Sequence, residues 1–90
     1  MNKAIITILG ADKVGIIAAV STYLAEKDIN ILDISQTTMQ DIFTMITMVD
    51  ISKSKSSFDE LHADFKSMGE KLGVQIQIQR TEIFNSMHKI

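Results

Sequence analysis

Cysteine is absent from this chain of 90 residues. Its absence excludes disulfides, zinc knuckles, iron–sulfur ligation and thiol catalysis. Proline is absent too, and glycine occurs at four positions. No linker, low-complexity segment or internal repeat stands out. No run of about twenty apolar residues occurs, so no membrane-spanning helix is expected. Lysine and arginine are not clustered and the formal net charge is −2, so a phosphate-neutralising, nucleic-acid-binding surface is not expected. The N-terminus lacks a signal-peptide cleavage pattern, and a cytoplasmic protein is the default expectation. What the chain does have is apolar side chain, 46% of its residues. That suffices for one domain of two layers spanning 1–90.

Ala4-Ile5-Ile6-Thr7-Ile8-Leu9 is β-branched and apolar on both faces, the pattern of a central strand. Gly10-Ala11-Asp12-Lys13-Val14-Gly15 follows. The two glycines allow positive φ or the close approach of another group. Asp12 is placed to cap a helix, whose free N–H groups and positive dipole end also suit a carboxylate. A plain capped turn accounts for the same residues. Ile16, Ile17, Val20, Tyr23 and Leu24 then recur at helical spacing, predicting a helix from Val14 to about Lys27. Ile31 to Met39 reads as an edge strand, Gln40-Asp41 as a tight turn, and Ile42 to Ile51 as a second doubly apolar, central strand. Ser57 and Glu60 fit a capping box. Phe58, Leu61, Phe65, Met68 and Leu72 form the stripe of the next helix, which Gly73 ends. Val74 to Gln79 alternates strictly, as a half-exposed strand does. In the remaining segment, 81–90, Ile83, Phe84, Met87 and Ile90 suggest a short tail helix.

The order β-α-β-β-α-β is that of an α+β, ferredoxin-like two-layer sandwich with an antiparallel four-stranded sheet. Right-handed crossovers put the first and third strands in the middle, where the two doubly apolar runs fall. Both helices then cover one face, leaving apolar side chains on the other. Such a patch marks a partner surface, and a homodimer is expected.

No catalytic set emerges. An acyl-phosphate hydrolase on this topology needs a cation in the first loop, where Lys13 is the one candidate. An RNA-binding version needs stacking aromatics on the central strands, where Phe43 stands alone. His62 reads as a solvated surface residue, and His88, Asp33 and Asp41 find no partners. The six methionines suit core filling better than metal binding. No metal or cofactor is expected.

Gly10-Ala11-Asp12-Lys13-Val14-Gly15-Ile16-Ile17, together with Lys27-Asp28-Ile29-Asn30-Ile31-Leu32-Asp33-Ile34-Ser35-Gln36, resembles the ACT domain. The likeness runs from Lys3 to Arg80, and Glu82 to His88 is similar to the tail of small stand-alone bacterial ACT proteins. That group is similar to the N-terminal half of the glycine cleavage system transcriptional repressor. Val14 departs from the family, where proline is common before the glycine. The resemblance implies a regulatory domain without catalytic activity, binding an amino acid or similar small ligand between subunits. By position, Gly10, Ala11, Asp12, Lys13, Val14, Gly15 and Ile16 would form one wall, and Asn30, Ile31 and Leu32 of the neighbouring subunit the other. The alternative is a ligand-free module that docks a separate enzyme or regulator through a sheet edge or the tail.

Overall fold

The computed structural model describes residues 2–11 and 13–81. The expected tail helix lies outside the described residues. The elements are β1 (Lys3–Gly10), α1 (Lys13–Glu26), β2 (Asn30–Met39), β3 (Ile42–Asp50), α2 (Phe58–Leu72) and β4 (Gln75–Arg80). The sheet is antiparallel throughout in the order β2-β3-β1-β4. The two doubly apolar runs are its central strands, as their composition predicts.

The core lies between the sheet and the helices. β1 contributes Ala4, Ile6 and Ile8, β3 contributes Phe43, Met45 and Val49, and β4 contributes Ile76 and Ile78. Against them pack Ile16, Val20 and Leu24 of α1 and Leu61 and Phe65 of α2. Thr47 lies in this layer, beside Ile6 in the register, and is 1% exposed. On the opposite face Leu9, Ile42 and Ile46 are at least 40% exposed, whereas Ile5 is buried.

The caps explain where the helices end. Ser57 Oγ accepts the Glu60 N–H at 3.2 Å, and Glu60 Oε1 accepts the Ser57 N–H at 2.8 Å. This is the expected capping box, two free donors satisfied reciprocally. Gly73, at φ 71°, ends α2 in the left-handed region. α1 ends in the same manner without a glycine. Asp28 takes φ 57°, the Ile29 N–H donates to Leu24 O at 3.0 Å, and the Asp28 N–H donates to Ala25 O at 3.2 Å. These two bonds are the Schellman pattern. A left-handed Gln40, φ 55°, reverses the chain between β2 and β3.

Two expectations are corrected. Leu72, expected on the core stripe of α2, is 39% exposed. Gly69 is buried on that helix instead, because a Cβ there would stand 2.8 Å from the Val74 carbonyl oxygen. The last turn of α2 thus approaches the start of β4 too closely for a side chain. The glycines of the first loop also act differently from the freedom first read into them. Among the described residues Gly73 is the one glycine with positive φ. Gly15 sits inside the first turn of α1. At Gly10 the close approach is real, but the neighbour is Val74, whose Cγ1 would lie 2.3 Å from an added Cβ.

Candidate functional site

The loop residues divide by burial. Ile16 is 1% exposed and anchors the start of α1 in the core. Gly10 is half-buried at the end of β1, while Ala11, Val14 and Gly15 are exposed. Asp12 and the Lys13 side chain lie outside the described residues. Among its described residues the loop presents backbone and the apolar side chains of Ala11 and Val14 at the N-terminal end of a helix of 14 residues. That end favours an anionic group.

The second wall is the start of β2. Asn30, Ile31 and Leu32 are all exposed, and β2 is exposed at each of its ten positions. Ile31 pairs with Val49 and Asp33 with Met48, so Leu32 is the extra residue of a β-bulge. A bulge re-aims side chains at a strand edge. Here it leaves Ile31 and Leu32 42% and 44% exposed.

The two walls do not meet within one chain. Asn30 aligns with Asp50 and through it with Lys3, at the beginning of β1. Gly10 aligns with Phe43 and through it with Thr38, near the end of β2. From Lys3 to Gly10 is seven strand steps, or about 23 Å at roughly 3.3 Å each. The candidate residues thus fall into two groups, candidate half-sites, at opposite ends of the sheet.

Sequence reasoning missed two charged residues. Asn30 lines a cleft of about 450 Å³ with Ala25, Asp28, Ile29 and Lys53. Asp28 also pairs with Lys55 at 3.5 Å, both side chains being largely exposed. The cleft therefore offers an anion, a cation and an amide along one lining, groups that match both ends of a zwitterion. Asp28 enters it because the left-handed cap of α1 turns the chain there, and Lys53 because the β3–α2 connection passes alongside. Neither placement has a local sequence signal.

The other polar groups are structural. Tyr23 Oη donates to Asp64 Oδ2 at 2.6 Å and ties α1 to α2. Burial, reinforced by that hydrogen bond and by the charges of Asp64 and Glu60, pushes the tyrosine hydroxyl above its ordinary range. The Ser52 side-chain hydroxyl and then its backbone N–H, which donates to Asp50 Oδ1 at 2.9 Å, hold the Asp50 carboxyl below its ordinary value. His62 is exposed, as expected. Asp33 Oδ1 accepts the N–H of its own neighbour, Ile34, at 2.9 Å. No cluster of three histidine or acidic side chains suited to a metal occurs among the described residues. No helix among them is long and apolar enough to cross a membrane.

A split βαβ sandwich, with candidate residues exposed at the start of its first helix and of its second strand, defines a ferredoxin-like α+β domain. The profile of the ACT domain matches residues 2–79, and the chain belongs to the ACT domain family. These domains are generally regulatory, bind small molecules and often dimerise. A UPF0237 protein of Clostridium acetobutylicum is 59% identical over 88 residues, covering 98% of this chain and 99% of that protein. Among solved structures, an ACT domain protein from Streptococcus pneumoniae superposes with a TM-score of 0.80 at 47% identity, covering 92% of this chain and 93% of that one. A structure assigned to a glycine cleavage system transcriptional repressor superposes at 0.77 with 18% identity, over 88% of this chain and 46% of that one. At that identity the likeness is one of fold.

Proposed function

We propose that this protein is a regulatory, non-catalytic domain that senses a small amino-acid-like ligand as a homodimer. The loop from Gly10 to Ile16 of one protomer and Asn30 to Leu32 of its partner hold the ligand between them. One observation carries the reading: within a chain the half-sites are some seven strand steps apart, yet one of them lies on an unpaired sheet edge. Antiparallel pairing of two β2 edges about a two-fold axis sets the start of one β2 beside the end of the other. The end of β2 is where the Gly10 loop of that protomer lies. The same operation that closes the dimer therefore brings unlike half-sites together twice.

Within such a site the α1 N-terminus receives a carboxylate, Asn30 donates or accepts, and Asp28 and Lys53 select for paired charges of opposite sign. An apolar side chain of the ligand meets Ile31 and Leu32. Calorimetry against a panel of amino acids tests the reading. Binding by at least one member is expected, with loss in both Asp12→Ala and Asn30→Ala. Mixed dimers of the two variants each retain one intact site, so mixing restores part of the heat. No heat from any member, or no recovery on mixing, counts against a shared site. A monomer in sedimentation at micromolar concentration removes the dimer on which it depends.

A further inference from the structure

The sheet face opposite the helices is unevenly exposed. β1 places Ile5, Thr7 and Leu9 there, because Ala4, Ile6 and Ile8 point into the core. Their partners on β3 are Met48, Ile46 and Thr44, and on β4 Gln79, Gln77 and Gln75. Leu9 and Ile46 are 41% and 40% exposed, yet Ile5 is 4% exposed. The neighbouring strands follow the same gradient. Met48 and Gln79, beside Ile5, are half-buried, while Gln77 and Gln75 are exposed. The face is thus shielded at the end where β1 begins and bare at the end beside the Gly10 loop. Both helices pack on the other face and do not provide this cover.

β4 ends at the shielded end. Arg80 pairs with Ala4, and Thr81 Oγ1 donates to Lys3 O at 3.3 Å. Thr81 has already left the extended conformation for the helical one. In the sequence that follows, Ile83, Phe84, Met87 and Ile90 recur at helical spacing, with Glu82, Asn85, Ser86, His88 and Lys89 between them. As a helix, residues 82–90 would extend roughly 13 Å at about 1.5 Å per residue. Four strand steps, from Lys3 to Thr7, cover about the same length at roughly 3.3 Å each. A segment of that reach starting at Lys3 covers Ile5 and stops short of Leu9.

We propose that the open face is a docking site for residues 82–90 of the same chain, which fold back as an amphipathic helix and seat Phe84, with Ile83 and Met87, on Ile5 and Met48. A second copy is not required for this cover, because Ile5 is buried within a single chain. The tail then acts as a partial third layer. It removes the Lys3 end of the apolar face from any partner and leaves Leu9, Ile42 and Ile46 accessible beside the Gly10 loop. The proposal does not rest on the shared-site reading, which uses the β2 edge.

The chain has no cysteine, so an introduced pair reports on one contact. In the full chain, Met48→Cys with Phe84→Cys should close a disulfide within one chain on mild oxidation, seen by mass and on a non-reducing gel. Ile42→Cys with Phe84→Cys should not, because a disulfide needs Cα atoms within about 7 Å. The unmodified chain provides a second measurement that no misaligned cysteine pair can spoil. Nuclear Overhauser contacts should join the Ile5 methyls to the Phe84 ring and persist on dilution to monomer. Phe84→Ser should remove them and increase the fluorescence of a dye that binds apolar surface, with sedimentation unchanged. A disulfide that forms between chains only, contacts that vanish on dilution, or Ile5 methyls without any contact to Ile83, Phe84 or Met87 overturns the proposal.

Discussion

Thr47 is the residue whose chemistry fits its surroundings least. It sits in the core layer, 1% exposed, and its Oγ1 has no hydrogen-bond partner among the described residues. A buried hydroxyl without a partner has lost its hydration and gained nothing in return. Valine has nearly the same shape and no such group. Thr47→Val is therefore expected to stabilise the domain by about 1 kcal/mol. For a domain of this size that raises the melting temperature by about 5 °C. A thermal melt followed by circular dichroism checks this, and a lower melting temperature would mean that the hydroxyl is satisfied. Gly10 and Gly69 are the opposite case, residues that fit because they lack a side chain. Each faces Val74, Gly10 against its side chain and Gly69 against its carbonyl. One valine in the α2–β4 connection thus accounts for two of the chain's four glycines.

At the scale of elements, most of the architecture was legible in the sequence. The runs Ala4 to Leu9 and Ile42 to Ile51 are apolar on both faces because both lie inside the sheet. The box of Ser57 and Glu60 and the stop at Gly73 delimit α2, since local hydrogen bonds of the helix ends decide those boundaries. What was not legible depends on how elements meet. The approach of α2 to Val74 cannot be read from Gly69, and the cleft beside Asn30 is completed by Lys53, from a segment that no motif links to residues 25–30. Nor does the helical stripe reveal that Tyr23 reaches Asp64, 41 positions away. That bond, with the edge-on packing of Tyr23 against Phe65 at 4.9 Å, joins α1 to α2 above the sheet. Tyr23→Phe keeps the ring and removes the bond, at a cost of about 1 kcal/mol near neutral pH. The sign with pH follows from the raised pKa of the folded state. The stabilisation is complete below the unfolded value, about 10, and is lost as pH rises above it toward the folded value. Urea melts of wild type and variant should differ at pH 7 and converge above about pH 10. A gap that stays constant across that range would show that the hydroxyl makes no pH-linked contribution.

At the scale of the molecule, the antiparallel β2-β3-β1-β4 sheet carries the two proposed half-sites to opposite ends, and this placement has a thermodynamic consequence. A ligand that touches two protomers at once cannot bind fully to one. If ligand lies between the Gly10 loop and Asn30 of different chains, it must tighten the dimer by the same factor by which dimerisation tightens ligand binding. The amino acid found by calorimetry should therefore shift a dilute sample, held below its dimer dissociation constant, from monomer to dimer in sedimentation velocity. Ligand at about a hundred times its dissociation constant should also stabilise the fold by about 2.7 kcal/mol, and the gain should fall as protein is diluted. Asn30→Ala should abolish both effects while leaving the ligand-free dimer unchanged, because the proposed β2 pairing uses backbone groups and Asn30 would contribute its side chain to the ligand. A ligand that binds the dilute monomer with undiminished affinity and leaves its association unchanged would place the site within one chain. The cleft of Asn30, Asp28 and Lys53, which needs no second protomer, would then be its location.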